Sequence, residues 1–266
     1  MINANHIVGR HDVLFVTLDT LRYDVAAEYL RTGRTPFLAS ILPQPGWEQR
    51  HTPGSFTYSA HQAFFAGFLP TPVQPGPHPR LFAAAFSGSE TTVETTFVYD
   101  APTWIEGLRQ ANYHTICIGG VGFFNRQTAL GRVLPDLFDE SHWAPELGVT
   151  DTRSTERQVA LACERISDTS RDQRLLLFLN VSAIHQPNCI FLEGHERDSP
   201  ESHGAALEYV DHCLPPLFAT LAARGQVFCI LCSDHGTAYG EQGYSGHRLG
   251  HPVVWTVPYC QFLMPA

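Results

Sequence analysis

The sequence predicts an α/β protein: a three-layer α/β/α sandwich on a mostly parallel, doubly wound sheet. Three observations predict it. Largely apolar runs of strand length occur at residues 13–18, 175–181 and 227–232, as in strands buried on both faces of a parallel sheet. Segments of helical length alternate with such runs, which is the rhythm of βα units. Polar residues follow each run at once: Asp19, then His185 a few residues on, and Ser233-Asp234-His235-Gly236. Open α/β sheets bind ligands in the crevice at the carboxyl ends of their strands. A chain of 266 residues buries a substantial core, and a single domain over 1–266 is the simplest organisation.

In chain order, residues 12–19 form the first strand and deliver Asp19 to its tip. Residues 23–42 read as a helix ended by Pro43 and Pro45, and 43–56 as a loop. Ser59 and Gln62 fit a capping box for a helix over about 60–66, with Gly67 at its C-terminus. Thr57 then precedes a helix N-terminus, where free N–H groups and the helix dipole favour an anion such as phosphate. The same Thr equally suits a plain turn. Residues 70–90 read as a surface excursion. Strands at 95–99 and 113–118 flank a helix at about 102–111, and 119–150 is irregular and placed to cover a site. A helix at 152–169 buries Val159, Leu161, Ala162 and Ile166. Strand 175–181 leads to His185. The helix at 202–223 is interrupted at Pro215 and Pro216. Strand 227–232, a Gly-rich loop holding His247 and His251, and a strand at 257–264 complete the chain.

Composition excludes several chemistries. Apolar residues make up 44% and charged residues 16%, a globular balance. The net charge of −9 and the absence of basic clusters argue against a nucleic-acid partner. All 17 basic side chains are arginine, so a P-loop lysine, a Schiff base and a lysine base are ruled out. Seven scattered cysteines read as small core residues, which suits a reducing compartment. Cys229 and Cys232, three apart on one strand, point to opposite faces and share neither a disulfide nor a metal. No signal region and no membrane-length apolar run occurs, so the expectation is a cytoplasmic protein without a membrane partner, acting on a small-molecule anionic ester. Asp234 and His235 suit either a turn or a divalent cation.

Taken together, Asp19, Thr57, His185, Asp234, His235 and His247 resemble the alkaline phosphatase and sulfatase superfamily, over nearly the whole chain. Residues 16–24, Val-Thr-Leu-Asp-Thr-Leu-Arg-Tyr-Asp, look like the family's first metal-ligand strand. Tyr209-Val210-Asp211 and Ser233-Asp234-His235-Gly236 match the long helix and metal strand of sulfatases. Asn180 to Pro187 resembles the loop carrying an active-site His, and Gly246-His247 the late Gly-His element. The resemblance implies an alkaline phosphatase-like fold without a C-terminal subdomain of the sulfatase kind. Laying Ala66-Gly67 on the sulfatase Thr-Gly puts Thr57 at the nucleophile, with Ser59, Ala60 and His61 where Pro, Ser and Arg stand in the family. Sulfatases convert a Cys or Ser there to formylglycine, and their sulfate-binding lysines have no counterpart here, so sulfate esters are disfavoured.

Threonine nucleophiles occur in the phosphorus-directed relatives, the nucleotide pyrophosphatase/phosphodiesterases and the lipoteichoic acid synthases. The first group needs an Asp four residues before the middle His for a second zinc, and Val181 stands there. The resemblance therefore implies a metal-dependent hydrolase or transferase of phosphate or phosphonate esters with one divalent ion (Zn, Mn, Mg or Ca) rather than two. Asp19, Thr57, Asp234 and His235 would hold the ion, while His185 and His247 would contact the phosphoryl group, or bind a second ion if one is present. His247 is preferred to His251 on the Gly-His match. Arg22 and Asp24 would support the site from behind, and Tyr58 and His61 would shape the pocket. The alternative is a catalytically degenerate relative that only binds a metal or ligand.

Overall fold

The structure is a computed structural model that describes residues 2–67, 82–84, 97–99 and 101–264. The excursion expected at 70–90 therefore lies outside the described residues except for its three-residue strand, and so do residues 95 and 96.

The described strands are β1 (Asp12–Leu18), β2 (Glu48–His51), β3 (Phe82–Ala84), β4 (Phe97–Tyr99), β5 (Tyr113–Ile118), β6 (Glu140–His142), β7 (Arg174–Val181), β8 (Val227–Cys232), β9 (Ala238–Tyr239), β10 (Ser245–Gly246) and β11 (Thr256–Leu263). The helices are α1 (Tyr23–Arg31), α2 (Pro36–Ile41), α3 (Thr57–Ala66), α4 (Trp104–Gln110), α5 (Ala129–Val133), α6 (Ser154–Asp168), α7 (Pro200–Cys213), α8 (Pro215–Ala222) and α9 (Pro252–Trp255). The central sheet runs β2-β11-β8-β1-β7-β5-β6. Pairs β8-β1, β1-β7, β7-β5 and β5-β6 are parallel, and β11 is antiparallel to both its neighbours.

Alternation along the central strands sorts their side chains onto two faces. Leu14, Val16 and Leu18 of β1 pack with α1, α2, α6, α7 and α8, and Val13 and Phe15 pack with α3 and α4. Cys229 falls in the first cluster and Cys232 in the second, as their spacing predicts, and all seven cysteines are free. On β7, Leu175, Leu177, Leu179 and Val181 face the first cluster, and Leu176 and Phe178 the second.

Several elements differ from the expected ones. The segment 23–42 is two helices, because Gly33 adopts a left-handed φ of 74° and Pro36 starts α2. The first N–H groups of α2 are held by Asp211, whose carboxylate accepts from Phe37 N at 3.1 Å and Leu38 N at 2.7 Å. The expected loop 43–56 contains β2, an edge strand whose four residues are all exposed, so it carries no apolar signal. The capping box at Ser59 and Gln62 does not form: α3 begins two residues before Ser59, which bonds back to Phe56 O at 3.0 Å. Gly67 does close the helix in the left-handed region, with φ of 82°. Strand β4 pairs with β3 in a separate two-stranded sheet, not with the central sheet. The prolines at 215 and 216 divide 202–223 into α7 and α8.

At the end of the sheet remote from the Asp234 turn, buried Asp12 accepts from Leu175 N at 3.1 Å and Arg224 Nε at 2.9 Å. Arg224 also donates to the carbonyls of Ile166, Thr169, Ser170 and Gln173. Removing one member of a buried pair strands the other charge. Asp12→Ala is expected to lower unfolding stability by about 3–5 kcal/mol in a denaturant titration, with metal binding unchanged once folded. A loss within experimental error of zero would refute it.

Candidate active site

Three adjacent strands deliver polar groups to one face of the sheet. Asp19 continues the face of Phe15 and Thr17, Asp234 that of Cys232, and Asn180 that of Phe178. In register, Thr17 is opposite Asn180 on one side and Cys232 on the other. Helix α3 covers this face, and its first residue is Thr57. All five polar residues are buried: Thr17, Asp19, Asn180 and Asp234 are inaccessible, and Thr57 is nearly so.

Backbone geometry sets the two carboxylates. Thr20 has a left-handed φ of 64°, a costly conformation for a β-branched residue. It turns the chain so that Thr20 N donates to Asp234 Oδ1 at 3.1 Å, beside His235 N at 3.0 Å. Asp19 Oδ2 accepts from Asn180 Nδ2 at 3.0 Å. This leaves Asp19 Oδ1 and Asp234 Oδ2 buried without a hydrogen-bond partner, which is expensive for ionised oxygens. Burial, and then the charge of Asp234, push the Asp19 carboxyl up to about 6. Burial pushes Asp234 up to about 7, against its backbone hydrogen bonds.

His235 completes the set. Its Nδ1 lies 2.9 Å from Gly236 O, so the proton sits on Nδ1 and the Nε2 lone pair is free. Burial lowers its pKa to about 4 and keeps it neutral. From His235 Nε2, Thr57 Oγ1 is at 3.4 Å, Asp234 Oδ2 at 3.5 Å and Asp19 Oδ1 at 3.9 Å. Ligand atoms on a tetrahedral ion with bonds of about 2.0–2.2 Å stand roughly 3.3–3.6 Å apart. Thr57 Oγ1 and Asp234 Oδ2 stand at that spacing from His235 Nε2, and Asp19 Oδ1 stands a few tenths of an ångström wider; the donor types suit a divalent cation, and the two carboxylate oxygens have no other partner. Asp19, Asp234 and His235 form the metal-capable group found among the described residues.

The other predicted residues divide. His247 lies against His235 with ring centroids 4.6 Å apart, and His185 lies 5.5 Å beyond it. His247 Nδ1 is buried and unbonded. Burial, then the neighbouring His235, His185 and Arg248, lower its pKa to about 3. His251 is the N-cap of α9, where its Nδ1 accepts from Val253 N at 3.3 Å. Val181 is buried on the opposite face from Asn180 and points away from the site. Arg22 holds Asp24 through two hydrogen bonds and also bonds Glu241. Its backbone N donates to His203 Nε2 at 3.3 Å. Tyr58 packs against Phe123 with ring centroids 5.6 Å apart, so part of 119–150 does border the turn at Thr57.

Sequence reading missed two residues. Thr17 and Asn180 link the carboxylate to the helix that presents Thr57. His61 Nδ1 donates to Thr57 O at 2.7 Å, and its Nε2 accepts from Thr17 Oγ1 at 3.0 Å. Thr17 Oγ1 accepts from Asn180 Nδ2 at 3.2 Å, the group that also donates to Asp19. Asn180 Oδ1 in turn takes the N–H groups of Gly120 and Val121, both at 3.2 Å. Burial holds His61 near pKa 3, hence neutral, as this donor and acceptor pattern requires. The available signal was parity: both residues are polar at positions of the α3 face in otherwise apolar strands.

A parallel sheet between helical layers, with acidic and histidine residues gathered at the central strand ends, is the alkaline phosphatase-like architecture. The chain belongs to the sulfatase family, whose model, Sulfatase, matches residues 11–258. No curated protein matches the sequence. Among solved structures, the zinc complex of the C-terminal periplasmic domain of EptC from Escherichia coli aligns with a TM-score of 0.63 at 15% identity, over 97% of this chain and 74% of that one. The integral membrane lipooligosaccharide phosphoethanolamine transferase A from Neisseria meningitidis aligns at 0.65 and 15%, over 97% of this chain and 48% of that one, so this chain spans about half its length. The lipoteichoic acid synthase LtaP from Listeria monocytogenes aligns at 0.61 and 14%, over 94% and 65%. At these identities the likeness is one of fold. No helix among the described residues is long and apolar enough to cross a membrane.

Proposed function

We propose that this chain hydrolyses or transfers phosphate or phosphonate esters, with Thr57 as nucleophile and one divalent ion held by Asp19, Thr57, Asp234 and His235. The observation that carries this reading is the convergence of a threonine hydroxyl and a free imidazole nitrogen on two buried carboxylate oxygens that have no other partner. The absence of lysine and of a Cys or Ser at position 57 supports phosphorus over sulfur. Phosphoethanolamine transferases and a lipoteichoic acid synthase share the fold, as does a sulfatase-like protein.

The bound ion would lower the pKa of the Thr57 hydroxyl and offset the two carboxylates. The chain's own residues do the rest. Thr57, as the first residue of α3, is held at a helix N-terminus that no side chain caps, so the dipole and free N–H groups favour negative charge on the phosphoryl oxygens. Thr57 Oγ1 gives up its proton to bulk water and attacks phosphorus in line, and the bond from phosphorus to the leaving ester oxygen breaks as the new one forms. Neutral His247 donates a ring N–H to an equatorial oxygen, and His185 delivers the proton to the leaving oxygen. Water or an acceptor alcohol then takes the phosphoryl group from Thr57.

Thr57→Ala should abolish turnover of aryl phosphate mono- or diesters assayed with added Zn, Mn, Mg or Ca, by at least about a thousandfold, while Thr57→Ser keeps measurable activity. Unchanged turnover in Thr57→Ala would overturn the nucleophile assignment. A wild type that binds metal without turning over any such ester would favour the degenerate, binding-only relative.

A further inference from the structure

Charge accounting leaves the site one cation short. An ion of charge two balances Asp19 and Asp234, and an incoming phosphoryl group adds negative charge that must be met again. No lysine exists to meet it. Arg22, three residues past Asp19, is saturated by Asp24 and Glu241. Arg248 is different. It is exposed, and among the described residues its guanidinium makes no ion pair or hydrogen bond.

Its placement is built. Arg248 N donates to Ser55 O at 2.8 Å, which ties it to the turn two residues before Thr57. Its guanidinium lies 5.1 Å from the ring centroid of Phe56, the residue that immediately precedes Thr57. A ring face orients a guanidinium without neutralising it. Arg248 also follows His247, whose ring contacts His235. Its backbone φ of 68° is left-handed, a strained state for a non-glycine residue that persists where the surroundings over-determine it.

We propose that Arg248 is the substrate-binding cation of this site, its guanidinium engaging the non-bridging oxygens of the phosphoryl group presented to Thr57. The inference rests on the reading of the site as one for phosphorus esters. A guanidinium fork pairs two non-bridging oxygens at once; both esters offer two, and the second negative charge of a monoester dianion makes its pairing with Arg248 the stronger.

Inorganic phosphate is the probe, titrated calorimetrically into the metal-loaded full chain, alongside kinetics on p-nitrophenyl phosphate and bis(p-nitrophenyl) phosphate. Arg248→Gln should weaken phosphate binding at least about tenfold. It should raise KM for the monoester more than for the diester, with kcat less affected and with metal affinity and melting temperature unchanged. Arg248→Lys should recover part of the phosphate affinity. Phosphate affinity within twofold of wild type would overturn the proposal. So would a loss that travels with metal affinity and melting temperature, because that marks a structural role. Thr57→Ala separates this proposal from the functional reading. If that variant turns over normally but Arg248→Gln loses phosphate, the nucleophile fails and the anion site stands. If Thr57→Ala is inactive and Arg248→Gln binds phosphate normally, Arg248 alone fails.

Discussion

Asp19→Asn is expected to stabilise the metal-free protein above neutral pH and to cost it its metal. The two effects share one cause. In the folded chain Asp19 is held near pKa 6 by burial and by Asp234, and Asp234 near 7 by burial, against an ordinary value of 3.8. The folded state therefore keeps protons that the unfolded chain has released, and stability falls as pH rises from about 4 to about 7. One pKa unit is worth about 1.4 kcal/mol, so the Asp19 contribution at full ionisation is on the order of 3 kcal/mol. An Asn at 19 has no charge to bury, and its amide oxygen still accepts from Asn180. The variant should thus melt higher than wild type in EDTA at pH 8 by roughly 6–12 °C, taking about 2–4 °C per kcal/mol for a chain of this size, and by about half as much at pH 5. A divalent ion reverses the wild-type slope, because binding releases the same protons. Its affinity should rise with pH through this range, and Asp19→Asn should weaken it at least about a hundredfold. Thermal melts in EDTA from pH 5 to 8 and metal calorimetry decide the matter. Wild-type stability that rises over that range without metal, or an Asp19→Asn variant that binds metal normally, would show that the two bare oxygens are not under electrostatic strain.

The strands that build the site were the easiest part of the sequence to read, for a physical reason. Strands β1, β7 and β8 are buried on both faces, so their apolar runs stand out and their polar ends are conspicuous. The same burial hides the second layer of information. A run read as largely apolar draws attention away from Thr17, although its parity with Asp19 places both on the α3 face. Parity also disposes of Val181: it lies one residue past Asn180 and so faces away from the site. Elements stabilised from a distance were not legible. Strand β2 is an exposed edge held by β11, and α2 is capped by Asp211 from α7 rather than by a local residue. The start of α3 was misplaced because Ser59 and Gln62 satisfy a local capping pattern. The helix instead begins at Thr57, whose carbonyl is tied by His61 to β1.

That tie leads to the second large effect. His61 sits in an aromatic box, with ring centroids of Phe64, Phe65, Phe124 and Phe178 at 5.4–5.9 Å. Both its nitrogens are spent, one on the Thr57 carbonyl and one on the Thr17 hydroxyl. His61→Ala removes a buried ring and leaves two polar groups unmatched, so unfolding stability should fall by about 3–5 kcal/mol. Stability alone would not distinguish a packing residue from a positioning one. Thr17→Val is the discriminating partner, because it preserves shape and removes only the hydroxyl that joins His61 to Asn180 and Asp19. By itself it should cost about 1–3 kcal/mol. If the chain of hydrogen bonds acts as a unit, the double variant should lose less than the sum of the two, with a coupling of about 0.5–3 kcal/mol. Under the proposed function, Thr17→Val should also lower kcat while leaving the folded fraction intact, since the separation of Thr57 from Asp19 is set through this hydroxyl. Additive stabilities together with an unaltered kcat would reduce His61 to a core residue. Non-additivity would mean that Thr57 and Asp19 are positioned by one buried network, anchored at His61.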